Sequence, residues 1–461
     1  MSKPVTESIQ LQDNQFLHPW EDIKKVGQNK RTVIANADGV YIEDSDGNKL
    51  LDGPAGMWCV NIGHRRQEMA DAIADQIMQL TYVSPWSLTN TPAVKLADKL
   101  AQLSPGDLNH VFYTTGGSTA VDSALRFVMF RNNVLEQPQK KHIISRTNAY
   151  HGSTYLSASA SGKSKDKNYL DFMDDTFHHI ADPNLMDKPV AMSEQEYCRL
   201  RVGDLENKIL EIGPDKVAAF IAEPILASGG VIMAPQGYHA GCLQVCRTYD
   251  VVYISDEVVT AFGRLGHFFA SQAVFDIVPD IITCAKGITS GYVPLGAFLV
   301  SDRLLQSIDA KDSSIVFSNG FTYSGHPVAC TAALKNIEIM ERENIMQHVR
   351  KVAPYFQAQL ATLNDLPVVT DVRGIGLMAC VQCDINKDGD NTPAMDYAMD
   401  YAIGDRIDRH CQQLGLLVRP IINMCVMSPP LIINEAQIDE LVEKLKKGIA
   451  LAVIDAESDG L

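Results

Sequence analysis

Five short runs in the first two-thirds of the chain carry almost no polar residue: "HVFY" (110–113), "HIIS" (142–145), "VAAFIA" (217–222), "VVYIS" (251–255) and "DIITCA" (280–285). A strand with one face in water alternates apolar and polar residues, so runs this uniform imply burial on both faces. Segments of helix length or longer separate them, which is the pattern of strand–helix crossovers and of a mainly parallel sheet flanked by helices. A chain of 461 residues exceeds one hydrophobic core, so a second unit is expected. Past residue 330 the pattern changes. Long helical stretches (328–342 and 345–362) lead into "DVRGIGLMACVQC", "LGLLVRPI" and "CVMSPPLII", then an amphipathic helix at 434–453. The expected fold is α/β: a large unit over 66–330, and a smaller α+β unit over 331–461 completed by the N-terminal segment 1–65. Two local features add to this. "VYIEDSDGNKLLDG" (40–53) reads as a hairpin turning at Asp46-Gly47. "MADAIADQIMQL" places Met69, Ile73, Ile77 and Leu80 on one helical face.

Ligands of open α/β sheets bind beyond the carboxyl ends of the strands, so the residues after each run carry the most information. Thr114-Thr115-Gly116-Gly117-Ser118 follows the first run and precedes a helix whose inner face is Val121, Leu125, Val128 and Met129. Two glycines and a hydroxyl at a helix N-terminus can cradle a phosphate, since free N–H groups and the helix dipole both favour an anion. Asn148-Ala149-Tyr150-His151-Gly152 follows the second run, Glu223-Pro224 the third and Asp256-Glu257 the fourth. The fifth ends at Lys286, the one charge in "IITCAKGITSGYVPLGAFLV".

Singly, each has an ordinary explanation: a tight turn, an exposed tyrosine, a capping carboxylate, a surface lysine. Together they set a phosphate cradle, a flat aromatic, carboxylates and a lone lysine around one rim. Pyridoxal phosphate requires this set. It needs a lysine for covalent attachment, a carboxylate to keep its ring nitrogen protonated and a phosphate site. A lysine among apolar residues has a lowered pKa and serves as nucleophile and base.

At these residues the chain resembles the class III pyridoxal-phosphate aminotransferases of fold type I, above all the ω-amine:pyruvate aminotransferase branch. The segments are "SDEVVTAFGRLG" (255–266), "AKGITSGYVPLGA", "NAYHGST" and "GFTYSGHPVA" (320–329), and the likeness runs from "LHPWED" to the final helix. The resemblance implies that Lys286 binds the cofactor covalently and shuttles the proton, and that Asp256 pairs with the ring nitrogen. It places Tyr150 on one ring face and Val258 on the other, Gly117 and Ser118 on the phosphate, and Glu223 near Asp256 and the ring hydroxyl. Thr322 is implied to reach the phosphate from a neighbouring subunit, making a homodimer with shared active sites, or a tetramer. Arg419 matches an arginine that receives the substrate carboxylate and swings away for plain amines. One departure stands out. The family's usual Ser-Gly-Ser-Glu-Ala-Asn is here Gly116-Gly117-Ser118-Thr119-Ala120-Val121.

The only three tryptophans, Trp20, Trp58 and Trp86, lie beside these motifs, which points to an aromatic-lined pocket for an apolar or extended amine. The expected reaction is ping-pong transfer of an amino group from a primary amine to pyruvate or another α-keto acid. An aminomutase or decarboxylase on the same scaffold, or a catalytically silent binding protein, are the alternatives. A net charge of −16 argues against nucleic acid or anionic membrane as a partner. There is no signal-like apolar run at the N-terminus and no stretch near the roughly 18 apolar residues of a membrane span, so the cytoplasm is the expected location.

Two other patterns carry less. Cys380 and Cys383 form a lone CxxC, and in a strand they point to opposite faces, which suits core thiols better than metal ligands. "DINKDGDNTPAM" starts like a calcium loop with Asp384, Asn386, Asp388 and Gly389. It has Met395 where the bidentate Glu belongs and Pro393 within the loop, so it reads as a solvated turn.

Overall fold

The computed structural model describes residues 9, 12–28, 31–309, 314–385 and 393–459. At its centre is a seven-stranded sheet in the order His110–Thr114, Gly296–Val300, Ile281–Cys284, Val252–Asp256, Val217–Ala222, His142–Arg146, Phe177–Ile180. The five runs read from the sequence are all strands of this sheet. Val217–Ala222 is buried at every position, and Val252–Asp256 likewise. Two members were not anticipated. Gly296–Val300 runs antiparallel to both neighbours and was hidden directly behind the lysine turn. Phe177–Ile180 is an edge strand whose two histidines mask its periodicity.

Helices cover both faces. Gly117–Val134 packs Val121, Leu125 and Val128, all fully buried, beneath the sheet. Pro327–Arg342 and Ile345–Ala361 fall where helices were expected, as does the last helix, Glu435–Ser458. In Gln67–Gln79, however, Met69 is buried but Ile77 is 45% exposed, and Gln76 turns inward instead. Ile77 therefore belongs to the surface in this chain.

The hairpin at 41–52 forms as read, with Gly47 at positive φ and Asp44 accepting from the amides of Asp46 and Asn48. Its strand Lys49–Asp52 pairs in parallel with Leu416–Leu417, so the N-terminal segment closes a sheet with the C-terminal part of the chain. A separate antiparallel sheet holds Val369–Ile375, Met378–Cys383, Met424–Met427 and, at its edge, Arg419–Ile421.

Cys380 and Cys383 are fully buried in this sheet, and all ten cysteines are free thiols. Asp384 accepts from Thr370 and Asn423, while Asn386, Asp388 and Gly389 lie outside the described residues. Among the described residues, no helix is long and apolar enough to cross a membrane.

Candidate active site

The register of the central sheet assembles the site. Ser255 pairs with Ala222 on one side and Ile282 on the other, so Glu223 and Asp256 leave adjacent strands at the same level. Asp256 lies opposite Thr283, whose hydroxyl donates to Oδ1 at 2.9 Å. The Val258 amide donates to the same oxygen, and His151 Nδ1 lies 2.7 Å from Oδ2. An ionised carboxylate can only accept, so His151 carries its proton on Nδ1. Glu223 takes the amides of Tyr150 and Ala227, and burial pushes its carboxyl above the ordinary range. Behind it Arg146, fully buried, donates to the Glu223 carbonyl oxygen.

The strand Ile281–Cys284 then turns sharply. Lys286 takes φ of +46°, a left-handed conformation that costs a non-glycine residue about 1–3 kcal/mol. The turn is held from outside: Asn336 donates to the Gly287 and Ile288 carbonyls at 2.9 and 3.0 Å. A Cβ on Gly287 would lie 2.3 Å from the Asn61 side chain, so a glycine must follow the lysine. Lys286 is half-buried, with Nζ 5.2 Å from the Trp58 ring centre. Desolvation lowers its pKa, and the Asp256 charge only partly opposes this.

No side chain caps the first turn of Gly117–Val134, which leaves its N–H groups open to a ligand. Ser118 Oγ accepts from the Ser153 amide, tying the turn to the Tyr150 loop. A Cβ on Gly117 would meet Val258 at 2.9 Å. The departures from the family pattern have a local account here. Thr119 donates to the Gly116 carbonyl at 2.9 Å, and Val121 is buried in an all-apolar cluster.

These residues surround one cavity of about 570 Å³, lined by Gly117, Ser118, Tyr150, Glu223, Asp256, Val258, Lys286, Trp20, Trp58 and Arg419. Its size suits a cofactor together with a small substrate. Two candidates from the sequence lie elsewhere. Trp86 is 95% exposed, outside the cavity, because the chain after Gln67–Gln79 runs across the surface rather than back toward the sheet. Thr322 is exposed, its carbonyl accepting from Tyr82 at 2.8 Å. Pro420 sits in mid-strand beside Arg419, which an edge position tolerates. Sequence reasoning gave no role to His151, Arg146 or Lys163, although His151 lies within the quoted "NAYHG".

The class-III aminotransferase family profile matches residues 23–449. The chain belongs to the class-III aminotransferases. It is 39% identical to the putrescine–pyruvate aminotransferase of Pseudomonas aeruginosa, over 95% of this chain and 94% of the relative. It is 37% identical to the mitochondrial γ-aminobutyrate transaminase 1 of Oryza sativa subsp. indica, over 89% and 79%. The crystal structure of an (S)-enantioselective ω-transaminase from Thermomicrobium roseum superposes with a TM-score of 0.91 at 35% identity, covering 99% of both chains.

A class-III aminotransferase depends on pyridoxal phosphate, and the donor set fits that group: an uncapped helix N-terminus, a strand-end carboxylate and a desolvated lysine share one cavity. The bound cofactor supplies a carbonyl carbon for the amino group and an electron sink for the substrate carbon.

Proposed function

We propose that this transaminase moves the amino group of a primary ω-amine to pyruvate or another α-keto acid by a ping-pong mechanism. The observation that carries this reading is Arg419. It lines the cavity 5.3 Å from the Trp58 ring centre and has no ion-pair or hydrogen-bond partner among the described residues. A free guanidinium beside the lysine suits the carboxylate of a keto acid. In this reading Lys286 is nucleophile and proton carrier, Asp256 holds the ring-nitrogen proton, Gly117 and Ser118 take the phosphate, and Tyr150 and Val258 flank the ring. Glu223 shapes the charge beside them, and Trp20 and Trp58 wall the substrate space. Residues 66–330 form the large domain, and 1–65 with 331–461 the small one.

Exposed Thr322 and Trp86 would serve a neighbour's cavity in a homodimer. Support comes from the apolar surface around them: Met78, Tyr82, Leu88 and Tyr323 are all exposed, and the Tyr82 and Tyr323 rings lie 6.0 Å apart. Ten free cysteines suit a reducing compartment, and the cytoplasm is the location proposed.

A single-turnover mix of holoenzyme and amine tests the chemistry, because only transamination releases a carbonyl product and leaves the cofactor aminated until a keto acid is added. Release of carbon dioxide, or of a rearranged amine, would replace this reading by a decarboxylase or a mutase. Light scattering that found an active monomer would remove Thr322 and Trp86 from the site.

A further inference from the structure

An asparagine stands in the middle of an apolar helix face. Within Pro327–Arg342, Asn336 is fully buried, and so are Ala332, Ala333, Ile337 and Met340 around it. A buried amide is unfavourable unless its polar atoms find partners. Asn336 finds them all on one segment, residues 287–290. Its Nδ2 donates to the Gly287 and Ile288 carbonyls at 2.9 and 3.0 Å, and its Oδ1 accepts from the Ser290 hydroxyl at 2.6 Å. Ser290 Oγ in turn accepts from the Ile62 amide at 3.3 Å. Asn61 walls the other side of the segment: it donates to the Phe262 carbonyl at 2.7 Å and occupies the space that a Gly287 Cβ would need.

This segment is strained at both ends. Lys286 has φ of +46° and Ser290 φ of +49°, a left-handed conformation that a residue with a Cβ keeps only where its surroundings impose it. Before Lys286 the backbone is fixed, because Ile281–Cys284 is paired along both edges. The direction of the Lys286 Cα–Cβ bond is then set by its own φ. A lysine stem is long and flexible, so Nζ is placed only as well as the backbone beneath it.

We propose that Asn336 is a positioning residue for the transfer reaction: it holds Lys286 in the left-handed conformation and so fixes where Nζ stands in the cavity. The proposal rests on the reading of Lys286 as the lysine that attaches the cofactor. Without the amide of Asn336 the Gly287 peptide is free to turn, Lys286 relaxes toward a negative φ, and its side chain swings off the cavity toward water.

The experiment uses Asn336→Leu, which keeps the shape and removes the donors. Cofactor is stripped from the full-length enzyme and added back, and its absorbance follows attachment. Asn336→Leu should attach it about ten- to hundred-fold more slowly. The pH of half-maximal attachment rate should rise, because an amine that reaches water titrates closer to the ordinary lysine value. The groups that face Nζ, namely Asp256, Arg419, Glu223 and Cys59, are the same in both proteins, so the shift reports the lost desolvation. In the reloaded enzyme kcat should fall about a hundred-fold, the effect of misplacing a reacting group by about 1 Å, with KM for pyruvate nearly unchanged. Ser290→Ala, which removes the hydroxyl that orients Asn336, should change the same quantities in the same direction but less, and it replaces Asn336→Leu if that variant does not fold. A lower urea midpoint with attachment rate, its pH midpoint and kcat all unchanged would make Asn336 a residue of the fold alone and overturn the proposal. Borohydride reduction and peptide mapping of the wild type should place the cofactor on Lys286. A label on another lysine would overturn the reading of Lys286, and the proposal with it.

Discussion

His151 Nδ1 lies 2.7 Å from Asp256 Oδ2, and its other ring nitrogen is buried without a partner among the described residues. Among the described residues the imidazole has one polar contact, and that contact is the carboxylate proposed to face the cofactor's ring nitrogen. It acts through Asp256 as a positioning residue. His151→Phe should leave the fold intact and free Oδ2 to rotate. The expected loss is about ten- to hundred-fold in kcat, one hydrogen bond to a charged group, with the absorbance band of the bound cofactor shifted. Unchanged kcat and spectrum would show that Thr283 and the Val258 amide hold Asp256 by themselves.

Asp256→Asn keeps the size of the side chain and removes its charge. The variant should still bind pyridoxal phosphate but lose most activity, because an amide cannot hold the ring-nitrogen proton. Cofactor retention and turnover, measured on the same preparation, check this. Near-normal turnover would mean that another group supplies the charge, and Glu223, at the same level on the neighbouring strand, would be the first to examine.

The rim of the site was legible because strand-end residues follow uniformly apolar runs, and the sheet's register then fixes where they meet. Lys286, Asp256, Glu223 and Tyr150 come together for that reason. Where a residue's role depends on what lies across space, no local pattern points to it. Lys163 reads as one charge in "SGKSKDKNY", a solvated cluster, and only the fold shows that Ser164 and Lys165 are exposed while Lys163 lines the cavity. Ile77 and Trp86 have the residue type of a core or a pocket, yet the chain carries both to the surface. Gly296–Val300 was missed because its antiparallel direction leaves no mark on an all-apolar run.

Desolvation lowers the Lys286 pKa below the ordinary lysine value of about 10.4. Between the lowered value and the ordinary one, the unfolded chain binds a proton that the folded, cofactor-free enzyme does not. Stability attributable to this group therefore rises with pH across that window, and below the window the buried charge destabilises the fold. Lys286→Met should flatten this part of the profile and make the cofactor-free protein more stable near neutral pH. Urea unfolding midpoints of both proteins from about pH 7 to 10 give the comparison. Parallel profiles would show that the amine stays solvated before the cofactor binds.

In the proposed reaction Arg419 serves two half-reactions of opposite demand. A carboxylate-free amine such as butylamine leaves the guanidinium unpaired, whereas pyruvate brings a carboxylate to it. A fixed, fully buried arginine would be several kcal/mol unfavourable in the first case. Here the side chain is half-buried, stacks near Trp58 and is carried by an edge strand, so it can turn toward solvent without breaking a hydrogen bond. In the second half-reaction it can pair with the carboxylate through two N–H groups. Arg419→Ala should thus weaken the pyruvate half-reaction by roughly 2–5 kcal/mol of transition-state binding and spare the half-reaction with butylamine. Stopped-flow absorbance of the cofactor follows each half-reaction separately. Equal losses in both would make Arg419 a structural residue of the cavity wall, and no loss with pyruvate would remove it from keto-acid recognition.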